Sequence, residues 1–138
     1  VKGKKKEQPM TAPDHLRYTK THEWARLDDD GLVTVGITHH AQEQLGDMVY
    51  VELPQVGKAF KAGAECAVVE SVKAAADVYA PVGGTVMAVN ELLEAHPEQL
   101  NQDPYGAWIF KLKPENAEDL KRLLSAAQYQ SMVEADEG

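Results

Sequence analysis

Residues 64–84 constrain this chain more than any other stretch. They read Ala-Glu-Cys-Ala-Val-Val-Glu-Ser-Val-Lys-Ala-Ala-Ala-Asp-Val-Tyr-Ala-Pro-Val-Gly-Gly. Two short runs of small and β-branched residues, 65–70 and 75–80, flank Ser71-Val72-Lys73-Ala74. Gly-containing turns bound the pair, at 61–63 before it and 81–84 after it. Runs of this length and composition between turn residues are strands, so the stretch predicts a β-hairpin with Lys73 at its tip. Neither Val72 nor Lys73 favours positive φ, which argues against a primed turn and for a type I turn. Such a tip is expected to be held by its flanking strands more than by turn chemistry of its own.

The rest of the chain reads as more of the same kind of structure. Residues 17–19 and 23–27 alternate, Asp28-Asp29-Asp30-Gly31 turns, and 32–37 returns, a second hairpin. Trp24 in it is a candidate core aromatic and His22 a turn residue. Thr38 can cap a short helix that Gly46 ends, with Ala41 and Leu45 on one apolar stripe. Residues 47–54 alternate and predict a central strand, with Met48, Tyr50 and Glu52 on one side and Val49, Val51 and Leu53 on the other. Residues 85–90 resemble that strand in character and read as its counterpart across Lys73. Together the segments predict a mainly β chain: a flattened, sandwich-like barrel of two small antiparallel sheets, closed enough to hide most edges. A short helix and a C-terminal helical segment complete it. That segment begins at Pro114, followed by a stretch from Ser125 to Val133 that sets Tyr129 and Met132 on one side.

Length and charge bound the function. The 138 residues make one domain, expected over 14–133. Residues 1–13 read as a disordered leader or remnant, with four lysines in the first nine positions, and 134–138 as a fraying acidic tail. The formal charge is −8, and −11 without residues 1–9, which argues against nucleic acid and suits docking on basic protein surfaces. No run is long and apolar enough to predict a membrane span. The single Cys66 excludes an intrachain disulfide. Metal at the His39-His40 pair is disfavoured, because adjacent helical residues face different directions. No nucleophile elbow, P-loop, dinucleotide fingerprint or Cys-x-x-Cys occurs.

A lone lysine on a hairpin tip is usually a solvated charge that keeps sheets apart. Here it stands on a slim turn of small residues, with no second basic residue between Ala62 and Thr85. Glu70-Ser71-Val72-Lys73-Ala74, with Ala80-Pro81 after it, resembles the lipoyl-lysine hairpin of the glycine cleavage H-protein family. So do Tyr18-Thr19-Lys20-Thr21-His22-Glu23-Trp24, Val35-Gly36-Ile37-Thr38, Leu45-Gly46-Asp47 and Trp108-Ile109-Phe110-Lys111-Leu112-Lys113. Biotin carriers differ at the tip, where methionines flank the lysine.

The resemblance implies a non-catalytic carrier with lipoic acid in amide linkage to Lys73. It implies partners in turn: a lipoylating enzyme, glycine decarboxylase (P protein), the tetrahydrofolate-dependent aminomethyltransferase (T protein) and dihydrolipoamide dehydrogenase (L protein). The carrier would take an aminomethyl group from the first of these three to the second, and reducing equivalents to the third. Glu70 would be read by the lipoylating enzyme, and Thr21, Glu23 and Asp77, with His40 as a neighbour, would form a pocket for the methylamine. A monomer in a bacterial cytoplasm, rather than a mitochondrial matrix, is expected. The residues taken by themselves leave alternatives open: another lipoyl or biotin carrier, or a small hydrolase or transferase using Glu70 or Asp77 with a histidine.

Overall fold

The computed structural model describes residues 12–137, so all but the last two residues of the leader read over 1–13 lie outside the described residues. Alternating β-branched segments fold as expected into strands. The first hairpin is β1 (Arg17–Tyr18), β2 (Glu23–Leu27) and β3 (Val33–Ile37), followed by α1 (His39–Leu45). Then come β4 (Met48–Glu52), β5 (Ala59–Phe60), β6 (Glu65–Ser71), β7 (Ala75–Tyr79) and β8 (Gly84–Val89). Two short helical turns, α2 (Leu92–Ala95) and α3 (Gln99–Gln102), lead to β9 (Phe110–Pro114), and α4 (Ala126–Glu137) ends the described chain.

The strands make two antiparallel sheets. One has six strands in the order β1-β2-β3-β9-β8-β5, the other three in the order β4-β6-β7. The main core lies between them, with Val35, Val86, Phe110 and Leu112 from the larger sheet facing Val51, Val69 and Val78 from the smaller. Each such side chain contributes about 1.5–3 kcal/mol by leaving water. A second cluster covers the first hairpin, where Ala12, Leu16, Tyr18 and Trp24 meet Ala126, Tyr129 and Val133 of α4. Trp24 lies across its pairing partner Gly36, where an added Cβ would come within 2.6 Å of the indole. Its Nε1 donates to the carbonyl of Pro104 at 3.0 Å.

Several expectations need correction. The expected sandwich of two antiparallel sheets is present, but the sheets do not close into a barrel and are unequal, because the first hairpin and β9 extend one of them to six strands. β4 is an edge strand, not a central one. A register shift between Met48 and Tyr50 breaks its period of two, so Met48 and Val51 are both buried while Val49 and Tyr50 face solvent. The counterpart strands β4 and β8 fall in different sheets. Pro114 closes β9 instead of opening a helix, and Asn116 caps a 3-10 stretch, Ala117–Arg122, by accepting from the Glu118 amide at 3.0 Å. Leu124 then runs extended beside Tyr18, with backbone bonds of 2.9 and 2.8 Å. Packing also continues on either side of residues 14–133. Ala12 is buried, and the Pro13 carbonyl accepts from the Tyr18 hydroxyl at 2.6 Å. The acidic tail stays helical to Glu137, carried by a helix that Tyr129 and Val133 anchor.

Candidate functional site

Lys73 stands exposed at the end of the β6–β7 hairpin. As the sequence predicts, no tip residue has positive φ; among the described non-glycine residues only His22 does. The tip, expected to be held more by its strands than by its own turn chemistry, does carry bonds of its own. The Ser71 hydroxyl accepts from the amides of both Lys73 and Ala74, at 3.1 Å each, while the Ser71 amide donates to the Ala74 carbonyl at 2.8 Å. A hydroxyl folded back on the next turn in this way is an ordinary serine turn device. The tip is also tied to the end of α1. Val72 donates its amide to the Asp47 carbonyl at 3.0 Å, and a Cβ on Gly46 would lie 3.4 Å from Lys73 Cε. Gly46 itself, at φ 85°, ends α1 by donating to the Gln42 carbonyl, while Thr38 caps the start by accepting from the Ala41 amide. The lysine stem therefore rests against a fixed helix terminus.

That geometry fits an acylated lysine. The primary amine is exposed, Ala74 and Ala75 leave its flank slim, and no second cation lies on the hairpin. Glu70 is half-buried on β6, paired with Ala75 on one side and Tyr50 on the other, as its position in a tight hairpin predicts.

At the far end of the same hairpin lies a cavity of about 300 Å³, bounded by Thr19, Thr21 and Glu23 on one wall and by Gly63 and residues 79–81 on the other. Glu23 is buried there with its donors assembled. Thr19 and Thr21 donate their hydroxyls to Oε1 at 2.5 and 2.6 Å, and the Tyr79 amide donates to Oε2 at 3.1 Å. Burial raises the Glu23 pKa above the usual carboxylate range, and these hydrogen bonds only partly oppose it. Such a carboxylate is stabilised by a cation that enters beside it.

The structure unites some of the predicted pocket residues and separates others. Thr21 and Glu23 share the cavity. Asp77 does not; it is exposed and lines a different cavity, of about 360 Å³, with Glu52, Lys58 and Glu65. His40 does not line the cavity either; its ring lies 4.7 Å from that of His22. Thr19 and the Tyr79 amide join the site beyond the residues the sequence points to. The hydroxyls at Thr19 and Thr21 ahead of Glu23 were the available signal, but nothing in the sequence brings residue 79 to them. Cys66 is buried, and desolvation pushes its thiol up to about 12, so it is an inert core residue. Among the described residues, no group of three His, Cys, Asp or Glu side chains converges as a metal site, and no helix is long and apolar enough to cross a membrane.

Known proteins share this sequence and this fold. A family model described as glycine cleavage H-protein matches residues 16–136. The glycine cleavage system H protein of Nitrosospira multiformis is 60% identical over 128 residues, covering 93% of this chain and 99% of the relative. H protein 2 of Pseudomonas putida is 63% identical over 121 residues, covering 88% and 95%. A solved glycine cleavage system H protein from Mycobacterium marinum superposes with a TM-score of 0.82 at 37% identity, covering 89% of this chain and 99% of that one. With the family matched along the domain and the fold shared, this chain belongs to the glycine cleavage H-protein family, whose members are non-catalytic lipoyl carriers of the glycine cleavage system.

Proposed function

We propose that Lys73 is the attachment lysine and that the Thr21–Glu23 cavity is where the carrier shelters its charged cargo. The observation that carries this reading is the single exposed amine at the tip of a slim hairpin whose other end supplies Tyr79 to the Glu23 carboxylate. When attached, the lipoyl group supplies a dithiol–disulfide that carries a one-carbon fragment and two reducing equivalents. The chain's own residues do the rest. Ser71 and the Asp47 carbonyl hold the tip in one conformation for an acylating enzyme to grip. Glu70 presents a carboxylate on the strand leading to the tip, in reach of the enzyme that reads it. Glu23, dry and supplied with hydroxyls, receives a cationic amine and keeps bulk water from it. Asp77 and His40 stand outside this cavity and are given no part in it.

The carrier works with the other enzymes of the system. We take the individual partners to be the P, T and L proteins and a lipoylating enzyme. We take the carrier domain to include residues 14–133, to act as a monomer and to work in the bacterial cytoplasm, in keeping with its bacterial relatives.

Intact mass after incubation with a lipoylating enzyme tests the attachment. One lipoyl increment is expected on the wild-type chain and none on Lys73→Arg, which keeps the charge and loses the acylatable amine. Modification of Lys73→Arg, or undiminished glycine–bicarbonate exchange by it in the reconstituted system, would refute the assignment.

A further inference from the structure

We propose that Tyr129 is a positioning residue for the carrier: its hydroxyl, acting through the His22 ring, holds Thr21 and Glu23 against the end of the β6–β7 hairpin. The inference rests on the reading of the Glu23 cavity as the station for the cargo amine.

His22 is the pivot. It lies between the two cavity residues and holds a φ of 75°, a conformation a histidine rarely adopts. Its backbone is fixed on both sides, with its amide on the Thr19 carbonyl at 3.2 Å and its own carbonyl accepting from Thr38 at 3.0 Å. Thr21 and Glu23 line the cavity, while His22 does not, its ring lying 4.7 Å from that of His40 and edge-on to Tyr129 at 5.6 Å. His22 Nδ1 and the Tyr129 hydroxyl share a hydrogen bond of 2.7 Å.

The same hydroxyl makes a second bond, also 2.7 Å, to Thr38 Oγ1. Thr38 caps the start of α1, and the other end of α1 supports the tip through Gly46 and Asp47. One buried hydroxyl thus ties the cavity segment to the helix on which Lys73 rests. The Tyr129 ring has a separate task, stacking on Tyr18 at 4.7 Å with 14° between planes. Tyr129→Phe keeps that stack and removes only the tie.

The Tyr79 amide reports on the arrangement without any attached group, because it donates to Glu23 Oε2. Hydrogen exchange of the full unmodified chain is read as the ratio of the Tyr79 to the Ser71 amide, Ser71 lying at the other end of the hairpin. Tyr129→Phe is expected to raise that ratio about 5-fold, the worth of one hydrogen bond. Val133→Ala, on the same helix and in the same apolar cluster, is expected to lower Tm and leave the ratio alone. His22→Gly keeps the left-handed backbone without the ring, so it should reproduce Tyr129→Phe even where that variant folds poorly.

The loaded protein supplies the second readout. Water hydrolyses the thio-linked aminomethyl cargo to ammonium, formaldehyde and free thiol, with no change in overall oxidation state. Release about 5-fold faster from Tyr129→Phe, and faster from Glu23→Gln, is the expected result. An unchanged Tyr79-to-Ser71 ratio in Tyr129→Phe overturns the inference, as does an equal rise in Val133→Ala. A raised ratio with wild-type release from Glu23→Gln means the hydroxyl positions a segment that holds no cargo, which overturns the inference together with the cavity reading. Faster release from Glu23→Gln alone leaves the cavity reading standing and removes Tyr129 from it.

Discussion

Glu23 has exchanged water for two hydroxyls and an amide, and the exchange is incomplete, so its pKa stays raised by burial. A raised carboxylate favours folding in its neutral form. Its contribution is therefore fully present below the ordinary value of 4.5 and lost as pH rises through the folded pKa. Glu23→Gln keeps the shape without the charge. It should melt above wild type at pH 7, with the gap closing as pH falls through the raised pKa and gone below the ordinary value; thermal melts across pH 3–8 check this. A variant that melts lower at pH 7 would mean the donors have outweighed the burial. The gain in stability should come with faster ammonia release, the exchange of stability for function expected of a charged site. Glu70 behaves differently, being half-buried on a strand. Glu70→Gln should slow lipoylation while changing stability by no more than about 0.5 kcal/mol. An unchanged modification rate returns it to an ordinary strand carboxylate.

The hairpin was legible as an element because β-branched runs between glycine turns have few other uses. What was not legible is how its tip is held. Ser71 reads as one more polar residue until its hydroxyl is seen to accept from two amides. Ser71→Ala should cost about 1 kcal/mol and lower Tm by about 3 °C, with slower lipoylation, since the loss falls on the turn that presents Lys73. A melt unchanged within error would mean the strands alone hold the tip. Local pattern failed where tertiary geometry intervened. The bulge in β4 cancels its alternation after Met48, and Pro114 pairs with Gly84 at the end of β9 although proline before acidic residues reads as a helix start. The candidate site was half legible for the same reason. Thr21 and Glu23 are two apart in one segment, whereas Asp77 could be separated from them only by the path of β7. Gly36 reads in the sequence only as one strand position in a family phrase, with nothing to say what packs on it. Its partner Trp24 now predicts that Gly36→Ala costs about 1–3 kcal/mol by overpacking, measurable in urea melts.

At the scale of the molecule, charge and layout matter most. With a net charge of −8, association with basic partner faces should slow by roughly tenfold between 10 and 150 mM salt, as the screening length falls from about 30 to 8 Å. Stopped-flow association rates independent of salt would remove electrostatic steering from the account. The layout has a different consequence. Lys73 and Tyr79 are six residues apart on one strand arm, roughly 20 Å of chain, and the register of β6 against β7 fixes that spacing. With the arm on Lys73 and the cargo at Glu23, as proposed, the hairpin is a ruler and the prosthetic chain must be cut to it. Inserting one matched residue pair into each strand would preserve alternation and pairing while lengthening the ruler by two residues, roughly 7 Å. Such a carrier would still accept its modification and still fold, yet its cargo would stop short of Glu23. Hairpins from carriers whose arms differ in length should on this ground not be interchangeable, however similar their tips.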